Sequence, residues 1–130
     1  MCMNGMSVGA SLYDFHKAFQ CPQRKEYKKE TIEDAELLVL RKSLIKEEVN
    51  ELIEAIEKEE ATNVLKELVD VVVVCVGMAD TYGWNFDTAF KRVHDSNMSK
   101  LDDAGRPIYR KDGKVLKSKN YKYPYLIDLV

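Results

Sequence analysis

The sequence predicts an all-α protein, an antiparallel bundle of four to five helices closed by a small C-terminal hairpin or extended arm. Three observations carry that prediction. Apolar residues recur at helical spacing from Leu12 to Val93. Two carboxylate pairs, Glu48 with Glu51 in LIKEEVNEL and Glu67 with Asp70 in LKELVDVVVV, stand at three-residue steps inside those apolar segments. The turn signals AGRP and KDGK fall after Leu101, where the periodic pattern stops.

In chain order, Ser7 to Gln20 reads as a short helix with Leu12, Phe15 and Phe19 on one face, stopped before Pro22. The polar stretch Cys21 to Glu30 reads as a loop. Thr31, followed by Glu33 and Asp34, is an N-cap for a long helix reaching about Glu60. Thr62 can cap the next helix, and Gly83 suits its left-handed C-terminal residue. A fourth helix, Phe86 to Lys100, has Phe86, Ala89, Phe90 and Val93 at core spacing. Asp112-Gly113 between Ile108-Tyr109 and Val115-Leu116 predicts a hairpin. The last stretch, Asn120 to Val130, reads as an extended arm.

The chain has 130 residues and 45% hydrophobic content, which predicts one domain over residues 1 to 130 with a basic clasp from about 101. Net charge is −2, unevenly spread: residues 1 to 99 hold 12 basic against 18 acidic side chains, and residues 100 to 130 hold 8 against 4. An acidic body with a basic tail suits a metal plus a polyanion. No basic amphipathic face or basic-aromatic pattern points to nucleic acid. Cys2, Cys21 and Cys75 show no metal or disulfide spacing, so they read as free thiols, with Cys75 buried as a small hydrophobe. There is no signal-peptide pattern, and the apolar run Val71 to Val76 is too short to span a bilayer; the expected location is cytoplasmic.

The carboxylates carry the chemistry. A three-residue step puts both members of a pair on one helix face. The 15 residues between the pairs, 52 to 66, suit a helix end, a turn and the start of an antiparallel partner, which brings the pairs opposite each other. Two like charges about 4 Å apart repel by roughly 4 kcal/mol at an effective dielectric of about 20, so four converging carboxylates need protons or cations. All-oxygen donors with no Cys or His favour Mg²⁺ or Mn²⁺ over zinc. On the first helix Ile45, Val49, Leu52 and Ile56 form an apolar stripe, with Glu48 at its border. On the second, Glu67 and Asp70 share their sector with Val71 and Val74, where a carboxylate is costly unless paired or coordinated. The plainer reading is that Glu54 with Lys58, and Lys66 with Asp70, are ordinary i,i+4 ion pairs on solvated helices.

The blocks DFHKAF, LRKSLIKEEVNEL, KELVDVVVVCVG, VHDSNMSKL and DGKVLK, in this order over about residues 12 to 126, resemble the all-α nucleoside triphosphate pyrophosphohydrolases. That superfamily includes MazG, dimeric dUTPase and phosphoribosyl-ATP pyrophosphohydrolase, with an ExxE, gap, ExxD motif. The resemblance implies cleavage of a nucleoside triphosphate between the α and β phosphates. It implies metal ligation by Glu48, Glu51, Glu67 and Asp70, a general base at Glu47, and a homodimer. Asn97 resembles a family asparagine that contacts sugar or base, and Lys100, Lys114 and Lys117 sit in family-like motifs as partners for the phosphates. An Asn near a helix end is equally a simple cap. Phe15, His16 and Phe19 could edge a base pocket or serve as core, and His94 reads as structural. Two departures stand out: Gln20 and Cys21 occupy positions where relatives often carry Gly, and LKSKNY replaces the more usual LKG.

Two rival readings differ in class. A di-iron carboxylate bundle uses Glu-x-x-His pairs, and neither His16 nor His94 has a Glu three residues earlier. A non-catalytic acidic helical dimer that binds a protein or sequesters nucleotides is compatible with the spacing alone.

Overall fold

The computed structural model describes residues 7–21 and 35–130, so the expected cap at Thr31, the loop before it and Cys2 lie outside the described residues. Among those described, four helices dominate: α1 (Val8–Ala18), α2 (Ala35–Glu57), α3 (Ala61–Tyr82) and α4 (Phe86–Met98). Two short strands follow, β1 (Ile108–Tyr109) and β2 (Val115–Leu116), then a 3₁₀ turn at Ile127–Leu129. The all-α class and the small hairpin are as the sequence predicts. No described helix is long and apolar enough to cross a membrane. The chain forms two compact units, Met1–Phe86 and Asp87–Val130.

In the first unit α2 and α3 pack as a helical hairpin, and α1 packs on α3. Their tight connection is a Schellman-type end: Glu59 N–H donates to Ile56 O, Glu60 N–H to Ala55 O, and Glu59 holds φ 56°. α1 ends the same way, with Gln20 at φ 55° and Cys21 N–H on His16 O. The left-handed residue is glycine only after α3, where Gly83 has φ 74° as expected. α3 begins one residue before Thr62; its N-cap is Glu60, which makes no side-chain cap bond, so Thr62 lies inside the first turn and is not the cap.

Among the described residues of this unit, Ala55, Val76, Ala79 and Tyr82 are the buried hydrophobic side chains. Polar groups are buried with them. His16 Nδ1 meets Asp80 Oδ2 at 3.0 Å, Thr81 Oγ1 donates to Gly77 O, and Arg41 is buried beside them. A Cβ on Gly77 would fall 2.8 Å from His16 Nε2 and 3.0 Å from Arg41 Nη1, so the glycine admits both side chains to the face of α3. α1 therefore docks through His16, whereas Phe15 and Phe19, expected on its core face, are exposed and pack on each other at 4.8 Å. Cys75 is exposed, contrary to expectation. It lies one helical step from buried Val76 and continues the exposed stripe Leu65, Leu68, Val69 and Val72 of the same helix.

The second unit is organised by polar ties. Arg92 forks onto Asp128 and Tyr125 O, while Ser96 Oγ donates to Lys122 O at 2.7 Å. Ser118 Oγ donates to Leu101 O and Asn120 Nδ2 to Asp103, so the residues of the unusual LKSKNY segment fasten the chain after β2 to the end of α4. Phe90 and Val93 are exposed, and the buried residue of α4 is Ser96. Of the four residues expected on the core face of α4, Phe86 and Ala89 are half-buried and Phe90 and Val93 are not covered, while Ser96 is buried through its hydrogen bond to Lys122 O.

Candidate functional site

The α2–α3 hairpin brings together three of the four expected metal ligands. Glu48 of α2 and Glu67 and Asp70 of α3 each place a carboxylate oxygen within 4.8 Å of the others. The register follows from the short turn at Lys58–Glu60, which returns α3 along α2 so that the ExxD pair meets the first pair. Glu51 is exposed and outside this group, although its charge acts on Glu48. Glu47 is also exposed and adjacent to the cluster. Burial raises the pKa of Glu48 first, and the negative charges of Glu51, Asp70, Glu67 and Glu47 raise it further.

Glu67 is the most enclosed member, 5% exposed, and its Oε2 is buried without a hydrogen-bond partner. An ionised oxygen so placed costs several kcal/mol unless a cation meets it. Its other oxygen, Oε1, accepts from Lys66 Nζ at 3.0 Å, and the same ammonium reaches Asp70 Oδ2 at 2.9 Å. The plain i,i+4 pair that the spacing suggests does form, but it forms inside the carboxylate cluster and on two of its members. Asp70, then Glu67, hold the Lys66 ammonium above its ordinary range. A donor set of oxygens alone, a buried oxygen lacking a partner and a cation already drawn to the spot together fit a hard divalent ion.

In the second unit Lys100 Nζ donates to Asn97 Oδ1 at 3.0 Å, which joins two expected substrate contacts. Lys117 lies over the Tyr121 ring, 4.3 Å from its centre. Lys114 stands exposed on the hairpin, its backbone N–H on Asp112. The contacts of Asn97 and Lys117 are local, and Asn97, Lys114 and Lys117 are all exposed. His94 is exposed and stacks on Phe90 at 6.5 Å. His16 is buried against Asp80 and so is not part of an open pocket edge.

Sequence reasoning assigned Lys66 no role at the site, because an i,i+4 lysine resembles any surface pair. The i,i+4 spacing signals the contact with Asp70 alone, because neighbours one residue apart on a helix do not ordinarily face each other.

The model of the phosphoribosyl-ATP pyrophosphohydrolase family matches residues 12–97, which include Glu47, Glu48, Glu51, Glu67 and Asp70. The chain is also similar to the uncharacterized protein L479 of Acanthamoeba polyphaga mimivirus, 26% identical over 106 residues, covering 81% of this chain and 40% of that protein. It therefore spans less than half the length of this curated relative. With the family match covering most of the chain and the acidic motif carried on α2 and α3 of a four-helix fold, the protein belongs to the phosphoribosyl-ATP pyrophosphohydrolase family, within the MazG-like all-α NTP pyrophosphohydrolase superfamily.

Proposed function

We propose that the protein is a Mg²⁺- or Mn²⁺-dependent nucleoside triphosphate pyrophosphohydrolase. It converts a (d)NTP, dUTP or a non-standard nucleotide among the candidates, to the monophosphate and pyrophosphate. The observation that carries this reading is the convergence of Glu48, Glu67 and Asp70 around the unpartnered buried oxygen of Glu67, in a chain of this family.

Glu48, Glu67 and Asp70 would hold the ion, with Glu51 completing the set by a side-chain rotation. The bound ion supplies charge neutralisation on phosphate oxygens and acidifies water. Glu47, exposed and next to Glu48 in sequence, would orient a water and accept its proton as that water attacks the α phosphorus in line with the departing pyrophosphate. The pyrophosphate leaves with added negative charge and needs cationic partners. Asn97, Lys100, Lys114 and Lys117 are proposed as substrate contacts on the motifs they occupy. The functional unit is a homodimer: Leu65, Leu68, Val69 and Val72 of α3, with Ile53 and Ile56 of α2, leave apolar surface that a second copy can cover.

The deciding experiment is a pyrophosphate-release panel across standard and modified nucleoside triphosphates with Mg²⁺ or Mn²⁺. Release with at least one nucleotide, lost on chelation, supports the reading. Stabilisation by nucleotide with no release from any substrate would favour the non-catalytic nucleotide-binding alternative.

A further inference from the structure

Lys66 sits at the site with no place in the chemistry just described. One ammonium bridges two of the three converging carboxylates, at 3.0 Å from Glu67 Oε1 and 2.9 Å from Asp70 Oδ2. One positive charge cannot balance three carboxylates, and the second oxygen of Glu67 remains buried without a partner. Lys66 itself is 61% exposed. Beside it opens a shallow cleft of about 560 Å³, lined also by Glu60, Ala61, Thr62 and Asn63 at the start of α3. A flexible cation at the rim of open space can leave its anions without unpacking anything.

We propose that Lys66 is an exchangeable counterion. It neutralises Glu67 and Asp70 while no divalent ion is bound, is expelled into the adjoining cleft when the ion enters, and from there takes a phosphate of the substrate. The inference deepens the metal-dependent reading above and rests on it. Two cations competing for the same oxygens repel each other, and the divalent one wins because its attraction to each carboxylate is doubled. The displaced ammonium, a compact charge with three donors, is suited to a phosphate oxygen. Metal entry and phosphate capture are thereby coupled through one side chain.

The test is calorimetry on the full chain, wild type beside K66M and K66R, first with Mn²⁺ alone and then with a non-hydrolysable nucleoside triphosphate analogue at saturating Mn²⁺. K66M should bind Mn²⁺ on the order of tenfold tighter, because the competitor is gone. It should bind the analogue on the order of tenfold weaker, because a charged partner is gone. K66R, which keeps the charge, should stay close to wild type in both. Weaker or unchanged Mn²⁺ binding by K66M overturns the proposal and makes Lys66 a holder of the carboxylates. Tighter Mn²⁺ binding with unchanged analogue affinity overturns the coupling. A wild-type protein that takes up no Mn²⁺ refutes the metal site itself, a failure visible before any variant is compared.

Discussion

Glu48 of the α2–α3 hairpin and four acids of the C-terminal unit are held in opposite electrostatic states. In the C-terminal unit, Asp95 is depressed by Lys91, Asp103 by Lys119 and Asn120, Asp112 by Arg110, and Asp128 by Arg92. Each of these acids has its own cation and serves to tie the chain to itself. In the hairpin, Glu48 is raised by burial and by four neighbouring carboxylates, while one lysine answers for both Glu67 and Asp70. Nothing in folding alone rewards that surplus of negative charge. Acids that serve structure come with partners, and acids that serve a ligand keep an unfilled place for it.

Neutralising one acid in each region separates the two roles most sharply. Glu48→Gln or Asp70→Asn should reduce turnover on the order of 10³-fold or more and weaken Mn²⁺ binding, while leaving the metal-free fold intact or slightly more stable. Asp128→Asn should leave turnover and metal binding near wild type and loosen the arm, read as faster proteolysis near Tyr125. Wild-type turnover in Asp70→Asn would contradict the comparison at its root.

Within the hairpin, Glu47→Gln should lower kcat by roughly 10² to 10⁴ fold with near-normal Mn²⁺ affinity, as expected for a group acting on water. An equal loss of metal affinity would make Glu47 a ligand.

Acid should push the two regions in opposite directions. Glu48 has a raised pKa in the fold, so its contribution to stability is full below the ordinary carboxylate value and is lost as pH rises through the raised one. Asp128 has a depressed pKa, so its contribution is present above the ordinary value and is lost as pH falls through the depressed one. Metal-free protein should therefore gain a little in melting temperature as pH falls from neutral through the raised pKa of Glu48, a gain that Glu48→Gln abolishes. The arm should release only in stronger acid, with the Tyr123 and Tyr125 signals as reporters. A melting temperature that falls over the milder range for wild type and variant alike would remove Glu48 as the source.

The smallest effect lies at the helix ends. Gln20 and Glu59 hold left-handed backbone at φ 55° and 56°, where glycine is free of strain. Gln20→Gly or Glu59→Gly should each stabilise by about 0.5–1 kcal/mol, measured by denaturant midpoint. Glu59→Gly also removes one acid from the already acidic turn.

Much of this was legible in the chain. The ExxE and ExxD spacing with a connection of turn length predicted the meeting of α2 and α3, Gly83 marked a helix end, and Asp112-Gly113 marked the hairpin. What was hidden depends on long-range pairing or on which face of a helix the fold covers. His16 and Asp80 are 64 residues apart in sequence, and nothing local says that they meet. Cys75 belongs to an apolar run whose covered face is set by where α1 and α2 lie, so its exposure could not be read from hydropathy. Phe90 and Val93 satisfy helical spacing, yet both lie on an exposed side of α4, which spacing alone does not reveal. Lys66 was visible as an ion pair, but its second anion became evident only once Glu67 was seen to be buried.

The central claim is that the surplus negative charge of the α2–α3 hairpin exists to bind a divalent ion. The most direct test is electron paramagnetic resonance of Mn²⁺ titrated into wild-type protein and into Glu67→Gln, without nucleotide. Saturable loss of the free Mn²⁺ signal in wild type, strongly weakened in Glu67→Gln while helicity is retained, is the predicted result. Equal Mn²⁺ uptake by the two proteins, or none by either, would contradict it.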